Sequence, residues 1–498
     1  MSNDANPVRQ KSIKVNLILN VILQGSALIF PLITFPYVSR VLTPVGTGRV
    51  DFAQSVISYF VMFTMLGVPT YGTRACARVR DDKIKLSKTV QELLIINCTL
   101  AVFAYLSLFV MIAFIPRFLE ERDCILLMST SIAFNAIGAT WFFSAIEDYQ
   151  YITIRSLICR VIALIVVFAF IRTKEDYLIY ALSMLITSSG SYILNFLRLR
   201  KYITFKKVGK YNFKVHLAAV AIFFAMAVST TIYVHLDTVM LGFMKSNSEV
   251  GIYSAAVKFK QVLVSLITAL GTVLLPRLSY YVQNGEEQEF LRLVKKAFRI
   301  VVYVAVPIVV FFIFFSETSI LIFSGADYVS AVPAMQIIMP TVFFIGISNI
   351  TGIQILVPKG KEKVVLFSEI VGAVVDLVLN FIFIPRYGAA GAAFGTLIAE
   401  LSVLIVQMLY VKDIAKFALL GIFNWKVYLS TVGSFAFVFF FSKWVATPWL
   451  LVNLAIWAAA YGVVYLALTA LLREKTLYED FYPVIRQLTA KVWKKELK

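Results

Sequence analysis

Residues 52–114 read FAQSVISYFVMFTMLGVPTYGTRACARVRDDKIKLSKTVQELLIINCTLAVFAYLSLFVMIAF. Two continuous apolar runs, 52–71 and 92–114, enclose a short segment, Arg74 to Lys88, that holds six Lys or Arg. About 20 apolar residues cross the roughly 30 Å hydrocarbon core of a bilayer as a helix. Neither run alternates with period two, which excludes a membrane barrel. The stretch therefore reads as two membrane helices joined on a basic face.

The same unit recurs along the whole chain. With that ruler, fourteen spans fall near 15–36, 52–71, 92–114, 124–145, 152–171, 177–197, 215–236, 250–275, 298–316, 332–357, 364–384, 389–411, 425–445 and 449–472. The composition agrees: 60% of the 498 residues are hydrophobic and 15% are charged, far too apolar for a soluble domain. The spans predict an all-α integral membrane protein of fourteen transmembrane helices.

Charge then sets direction. Most of the 47 Lys and Arg lie in the N-terminus, the even-numbered gaps and the C-terminus. Cytoplasmic loops collect bases in this way, so both termini are expected in the cytoplasm. The gap at Glu147–Asp148 should be cytoplasmic yet is acidic. The net charge of +19 thus reflects topology, and no basic run interleaved with stacking aromatics points to nucleic acid. The first span runs past Pro36 without a small-residue cleavage site, so it reads as a helix and not as a removable signal. The four cysteines show no CxxC or His pattern, and no disulfide or metal site is expected.

No gap is long enough for a soluble catalytic or nucleotide-binding domain. The segment EEQEFLRLVKKAF (286–298) has helical apolar spacing and reads as an amphipathic helix on the cytoplasmic face. An internal echo is also visible. RVLTPVGTGRVDFAQ (40–54) follows span 1, and VMLGF (239–243) with VGIYSAAVK (250–258) follows span 7. Each places Val-Gly in a short polar turn before a helix of small residues. The offset matches a six-helix half, the mark of a transporter built from two parallel repeats. The expected parts are a six-helix lobe at 1–205, a second at 206–415, and two extra helices with a basic tail at 416–498.

Charges within apolar spans cost several kcal/mol unless they face a lumen or a partner. The candidates are Arg160, Asp237, Lys258, Lys260, Glu369, Asp376 and Glu400, with Arg40, Arg49, Asp51 and Arg74 at span ends. Lys258 and Lys260 are two positions apart and cannot share a helix face. The run GAAGAAFG (388–395) reads as a close helix-packing stripe. Prolines at 31, 36, 69, 276, 307, 333 and 340 would allow bends. Neither His216 nor His235 has a Ser or carboxylate partner at a catalytic spacing, and no catalytic residue is expected.

Several stretches resemble the Wzx-type oligosaccharide-lipid flippases of bacteria. They are PYVSRVLTP, GTGRVDFAQS, SYF and GVPTYGTR near the N-terminus, then IYVHLDTVMLG, EVGIYSAAVKFKQ and LLPRLS, then LNFIFIPRYGAAGAAFGTLIAE. They occur in order over nearly the whole chain. Asp376 stands where a neutral residue such as Asn is expected, and Thr43-Pro44 stands where the family often has Leu-Gly. The superfamily also includes the multidrug and toxin extrusion transporters and the peptidoglycan-precursor flippases.

The resemblance implies export of an oligosaccharide repeat unit on undecaprenyl diphosphate across the bacterial cytoplasmic membrane, for capsule, O-antigen or exopolysaccharide synthesis. A diphosphate crossing an apolar layer needs cations that replace its hydration. Arg40 and Lys258 match basic lumen positions of such flippases, and Arg49, Arg74 and Arg160 are the next candidates. Asp237, Asp376 and Glu400 are candidates for ion coupling or charge pairing. The resemblance implies no cofactor beyond a coupling Na⁺ or H⁺. Its implied partners are the lipid-linked glycan, membrane lipids, a polysaccharide polymerase and chain-length proteins, with a monomeric chain. The rival readings are a cation-coupled multidrug exporter of the same fold and a peptidoglycan-precursor flippase. A membrane-embedded glycan polymerase, ligase or acyltransferase would need a larger external loop or an intramembrane catalytic set.

Overall fold

The computed structural model describes residues 13–412, 414 and 423–483. The basic N-terminus, most of the loop before span 13 and the end of the basic tail lie outside the described residues. The described residues form helices and connecting turns, with no strand among them.

The helices run in chain order as α1 (Ile13–Met65), α2 (Val68–Arg78), α3 (Lys83–Phe114), α4 (Pro116–Glu120), α5 (Arg122–Gly138), α6 (Thr140–Ala145), α7 (Tyr149–Phe170), α8 (Tyr177–Leu185), α9 (Ser191–Leu199) and α10 (Phe213–Met244). They continue as α11 (Asn247–Gln283), α12 (Glu287–Phe314), α13 (Ser316–Phe323), α14 (Val332–Ile338), α15 (Pro340–Asn349), α16 (Glu362–Tyr410), α17 (Trp425–Trp444) and α18 (Leu450–Leu471). Eleven described helices or helix runs are long and apolar enough to cross a membrane, or twelve if the pair Ala326–Ile338 and Pro340–Leu356, bent by 42°, is one crossing. The protein is a multi-pass membrane protein.

Two of these runs are too long for one crossing. The 53 residues of α1 would extend about 80 Å as one rod. It breaks at Thr43, with φ 60° and ψ 176°. The following Pro44 accounts for the extended ψ, because a proline ring pushes the preceding residue out of the helical region, while the positive φ is strained for a β-branched residue. The 49 residues of α16 break at Gly388, with φ 54° and ψ −129°, a conformation open to glycine and strained for other residues. Pro69, Pro333 and Pro340 instead sit in first turns, where a missing N–H costs nothing. Pro69 and Pro333 start helices, whereas Pro340 stands at the 42° bend between Ala326–Ile338 and Pro340–Leu356.

The lipid-facing surface is legible on α3. Val102, Phe103, Leu106, Val110 and Phe114 are exposed, while Asn97, Ala101, Ala104, Leu108 and Ile112 are buried. Both sets follow helical spacing, so one stripe meets acyl chains and the smaller-residue stripe meets protein. Asp82 starts this helix by accepting hydrogen bonds from the Ile84 and Lys85 N–H groups at 3.0 Å, an N-cap.

Contacts divide the chain into two compact units, Met1–Ser254 and Ala255–Lys498. In the first, α1 packs against α3, α5, α7, α8 and α10. Because α10 joins the N-terminal helices, the packing boundary falls after Ser254, whereas the repeat pattern places a boundary near 205. The first quantity follows contacts, the second chain order. In the second unit, α16 packs on α14 and α15, and α12 packs on α15 and α17.

Each unit sorts its gaps by end. In the first, Arg80 pairs with Glu147 at 3.1 Å and Arg198 with Asp148 at 2.8 Å. Gaps 2, 4 and 6 therefore meet at one end, and bases from its neighbours neutralise the acidic gap 4. At the other end, Arg49 of gap 1 lies 3.7 Å from Glu121 of gap 3. In the second unit, Arg299 pairs with Glu479 at 2.9 Å and Lys296 with Asp480 at 3.2 Å. Asn424 donates to Glu474 at 2.7 Å, joining the gap before α17 to the segment after α18.

Segment 286–298 departs from expectation. It is the first part of the single 28-residue helix α12. Nothing breaks the helix at 298, and Phe290, Val294 and Phe298 are buried by protein. An apolar face already covered has none left for the lipid surface. The appended helices are tied to α12 by aromatic hydroxyls. Pro307 has no N–H, so the Tyr303 carbonyl loses its helical donor. The Tyr465 hydroxyl donates to it at 2.8 Å, and the Tyr461 hydroxyl donates to the Pro307 carbonyl at 3.1 Å.

Candidate functional site

The two echo segments meet inside the first unit. A Cβ built on Gly48 would lie 1.8 Å from the Asn247 carbonyl oxygen, and one on Gly251 would lie 2.0 Å from the Pro44 carbonyl oxygen. Only glycine allows backbones this close. The helix restarting at Pro44 and the start of α11 thus press together at the end where gaps 1, 3 and 7 gather.

A charged network surrounds that contact. Glu121 is buried, with 4% exposure. Its carboxylate accepts from Asn247 at 2.6 Å and lies 3.7 Å from both Arg49 and Arg117. Asn247 in turn accepts from Arg117 at 2.5 Å. The Arg49 guanidinium also sits 5.0 Å over the Tyr177 ring, and Arg117 sits 5.1 Å over Phe52. Arg117 also pairs with the exposed Glu120 at 2.8 Å, so two cations and two carboxylates meet near the contact. Arg117, Glu121 and Asn247 were not singled out from sequence, because nothing local marks residues so far apart in the chain as partners.

The other candidate cations of the first unit have further partners. Arg40 is exposed and donates to the Pro36 carbonyl one turn back. Arg74 is exposed, with its guanidinium 5.2 Å over the Phe223 ring. Arg160 is half-buried and donates to the Leu23 carbonyl at 2.8 Å and to the Ser26 hydroxyl, so it ties α7 to α1. Asp237 is buried and accepts from the Tyr253 hydroxyl. The histidines find partners across the fold rather than along the chain. The His216 ring bonds to Glu92 and to Tyr71, each at 2.8 Å, and His235 lies 3.3 Å from the Ser55 hydroxyl.

In the second unit, Lys258 and Lys260 are both half-buried on α11. Asp376 and Glu400 are buried on opposite sides of the Gly388 break, with Asn380 and Thr396 one turn from each. A Cβ on Gly395 would lie 2.4 Å from the Asn380 amide oxygen and 3.0 Å from an Asp376 carboxylate oxygen. The Gly/Ala run therefore packs its helix closely, as expected, and packs it against polar side chains. Asn380 and Thr396 were missed because neutral polar residues carry no charge signal in an apolar run. No cluster of three or more His, Cys, Asp or Glu fit to hold a metal occurs among the described residues.

The profile of the polysaccharide biosynthesis protein family matches residues 13–282, and the MatE profile matches residues 221–382. A protein named "Putative O-antigen transporter" in Escherichia coli (strain K12) is 25% identical over 407 residues, covering 81% of this chain and 97% of its own. One of the same name in Shigella dysenteriae is 25% identical over 401 residues, covering 80% and 100%. Among solved structures, the lipid II flippase MurJ in an inward closed conformation superposes with a TM-score of 0.72 at 16% identity, covering 92% of this chain and 100% of that one. An inward-facing multidrug resistance MATE family transporter of the MOP superfamily gives 0.61 at 15% identity, covering 82% and 99%.

Proposed function

The chain belongs to the polysaccharide biosynthesis protein family, and from that premise we propose that it is a Wzx-type flippase. It carries oligosaccharide repeat units on undecaprenyl diphosphate across the bacterial cytoplasmic membrane. The observation that carries this reading is the match to O-antigen transporters over 97% and 100% of their own lengths. The fold class agrees with it.

The chain crosses the membrane fourteen times. The breaks at Thr43 and Gly388 divide two long runs into two crossings each, and the bent pair supplies one more. The end where Arg80, Glu147, Asp148 and Arg198 meet faces the cytoplasm, because that set of gaps carries most of the bases. The Gly48–Gly251 end then faces outward and is closed. Alternating access opens that end and closes the other. The diphosphate is drawn by Arg40 and Lys258, then by Arg49, Arg74 and Arg160, while its lipid tail stays in the bilayer. No bond is made or broken, so the protein is not an enzyme. Asp237, Asp376 and Glu400 couple transport to Na⁺ or H⁺ or hold these bases in place. The chain works as a monomer beside a polysaccharide polymerase and chain-length proteins.

The names of the relatives favour this over a drug exporter or a peptidoglycan-precursor flippase. The test is complementation. In a bacterium from which the gene is deleted, the proposal expects loss of surface polysaccharide and accumulation of the lipid-linked repeat unit. Intact surface polysaccharide with increased drug sensitivity would overturn it.

A further inference from the structure

A cavity of about 730 Å³ opens in the second unit between the first turns of α12, the start of α17 and the segment following α18. It lies at the end of this unit that carries the basic gaps. Five bases, Arg292, Lys295, Arg299, Lys426 and Lys475, line it together with two carboxylates, Glu474 and Glu479. Phe423 and Trp425 flank it with 74% and 61% of their surfaces exposed.

The acidic groups of the region already have partners. Glu474 is buried and accepts from Asn424 at 2.7 Å, from the Thr476 hydroxyl at 3.0 Å and from the Leu477 N–H at 3.1 Å. Glu479 and Asp480 are held by Arg299 at 2.9 and 3.2 Å, with Lys296 adding a second cation to Asp480 at 3.2 Å. Among the described residues, Lys426 donates to a neutral carbonyl, that of Arg473, at 3.3 Å. The one nearby ion pair of Arg292, with Glu289 at 3.6 Å, is exposed and screened. The cavity therefore keeps a positive surplus. Exposed aromatic rings at a helix start mark the depth of lipid headgroups, which places the cavity mouth where a phosphate of the inner leaflet lies.

We propose that this cavity is a binding site for the phosphate headgroup of an anionic membrane lipid. Arg292, Lys426 and Lys475 supply charge-assisted hydrogen bonds to the phosphate oxygens. Phe423 and Trp425 cover the glycerol and upper acyl region. The site belongs to the second unit alone and does not depend on what the protein transports. The same phosphate chemistry is present in phosphatidylglycerol and in a polyprenyl diphosphate, so the source is decided by competition.

The test uses the full-length protein purified in a neutral detergent, with bound phosphatidylglycerol counted by native mass spectrometry. Arg292→Gln, Lys475→Gln and the double variant alter exposed residues and should leave the melting temperature unchanged. The expected result is saturable phosphatidylglycerol binding, weak phosphatidylcholine binding, and about five-fold weaker phosphatidylglycerol affinity for each base removed. Displacement by undecaprenyl diphosphate, with the same loss in the variants, supports the site and names the lipid diphosphate as a second source. Unchanged phosphatidylglycerol binding in the double variant overturns the proposal. So does binding of inorganic phosphate with none of either lipid.

Discussion

Gly48 and Gly251 meet backbone to backbone: a Cβ on Gly48 would stand 2.8 Å from the Gly251 nitrogen. The two residues belong to the two copies of one sequence echo, which the fold presses together. Substituting either with alanine forces the backbones apart, an overpacking that costs about 1–3 kcal/mol. Gly48→Ala and Gly251→Ala should bias the protein away from the closed outer end and lower polysaccharide export, with protein still in the membrane. Labelling of a cysteine introduced at the buried Val250, in a Cys98→Ser background, by a membrane-impermeant thiol reagent should rise in both. Unchanged labelling and export would show that the contact is not a closure.

Glu121 is buried between Arg49 and Arg117, and Arg117 also pairs with the exposed Glu120. Removing its charge leaves both guanidinium groups without that counter-charge. Glu121→Gln should lower stability by about 2 kcal/mol, less than a fully buried pair because the two arginines are partly exposed. Thermal unfolding in detergent reads it out, and Glu121→Asp should retain part of the loss.

The Tyr465 hydroxyl replaces the donor that Pro307 removes from the Tyr303 carbonyl. Tyr465→Phe leaves that carbonyl unpaired within the protein and should cost about 1–3 kcal/mol. The same substitution in a Pro307→Ala background, where the helical N–H returns, should cost less. Equal losses in both backgrounds would refute the exchange of donors.

Asp82 caps α3 outside the apolar run. The backbone N–H of Lys85, followed by the Lys85 side chain, holds its carboxyl below the ordinary value of 3.8. A carboxyl depressed in the folded state adds stability above its unfolded pKa and loses it as pH falls through the folded value. Asp82→Ala should therefore lower the melting temperature by a constant amount at neutral pH. The gap between variant and wild type should close below about pH 3.8.

Arg40→Ala and Lys258→Ala should each abolish surface glycan export while the protein still reaches the membrane. Export unchanged in both would remove these cations from the account of diphosphate binding.

Much of the fold was legible because lipid imposes its rule residue by residue. The runs at 92–114 and 152–171 read directly as α3 and α7, since each must be apolar over its whole length. The alternation of basic gaps foretold that Arg80, Glu147 and Arg198 share an end. The breaks at Thr43 and Gly388 were placed in gaps, yet helix continues to both, because a membrane ruler measures apolarity and not backbone geometry. The echo was visible as Val-Gly repeated, but its meaning was not: only the packed chain shows that the two copies touch. The charge candidates were visible one by one. Their partners were not, since Arg117 and Asn247, or Glu92 and His216, are joined by the fold alone.

The central claim is tested most directly in sealed proteoliposomes containing only this protein and a fluorescent undecaprenyl-diphosphate oligosaccharide. A glycosidase added outside cleaves only outward-facing sugar. The account predicts that wild-type protein moves the inner-leaflet pool to the outside, completing cleavage, and that Arg40→Ala does not. Cleavage halted at the outer-leaflet fraction with active, correctly folded wild-type protein under an imposed Na⁺ or H⁺ gradient of either direction would contradict it.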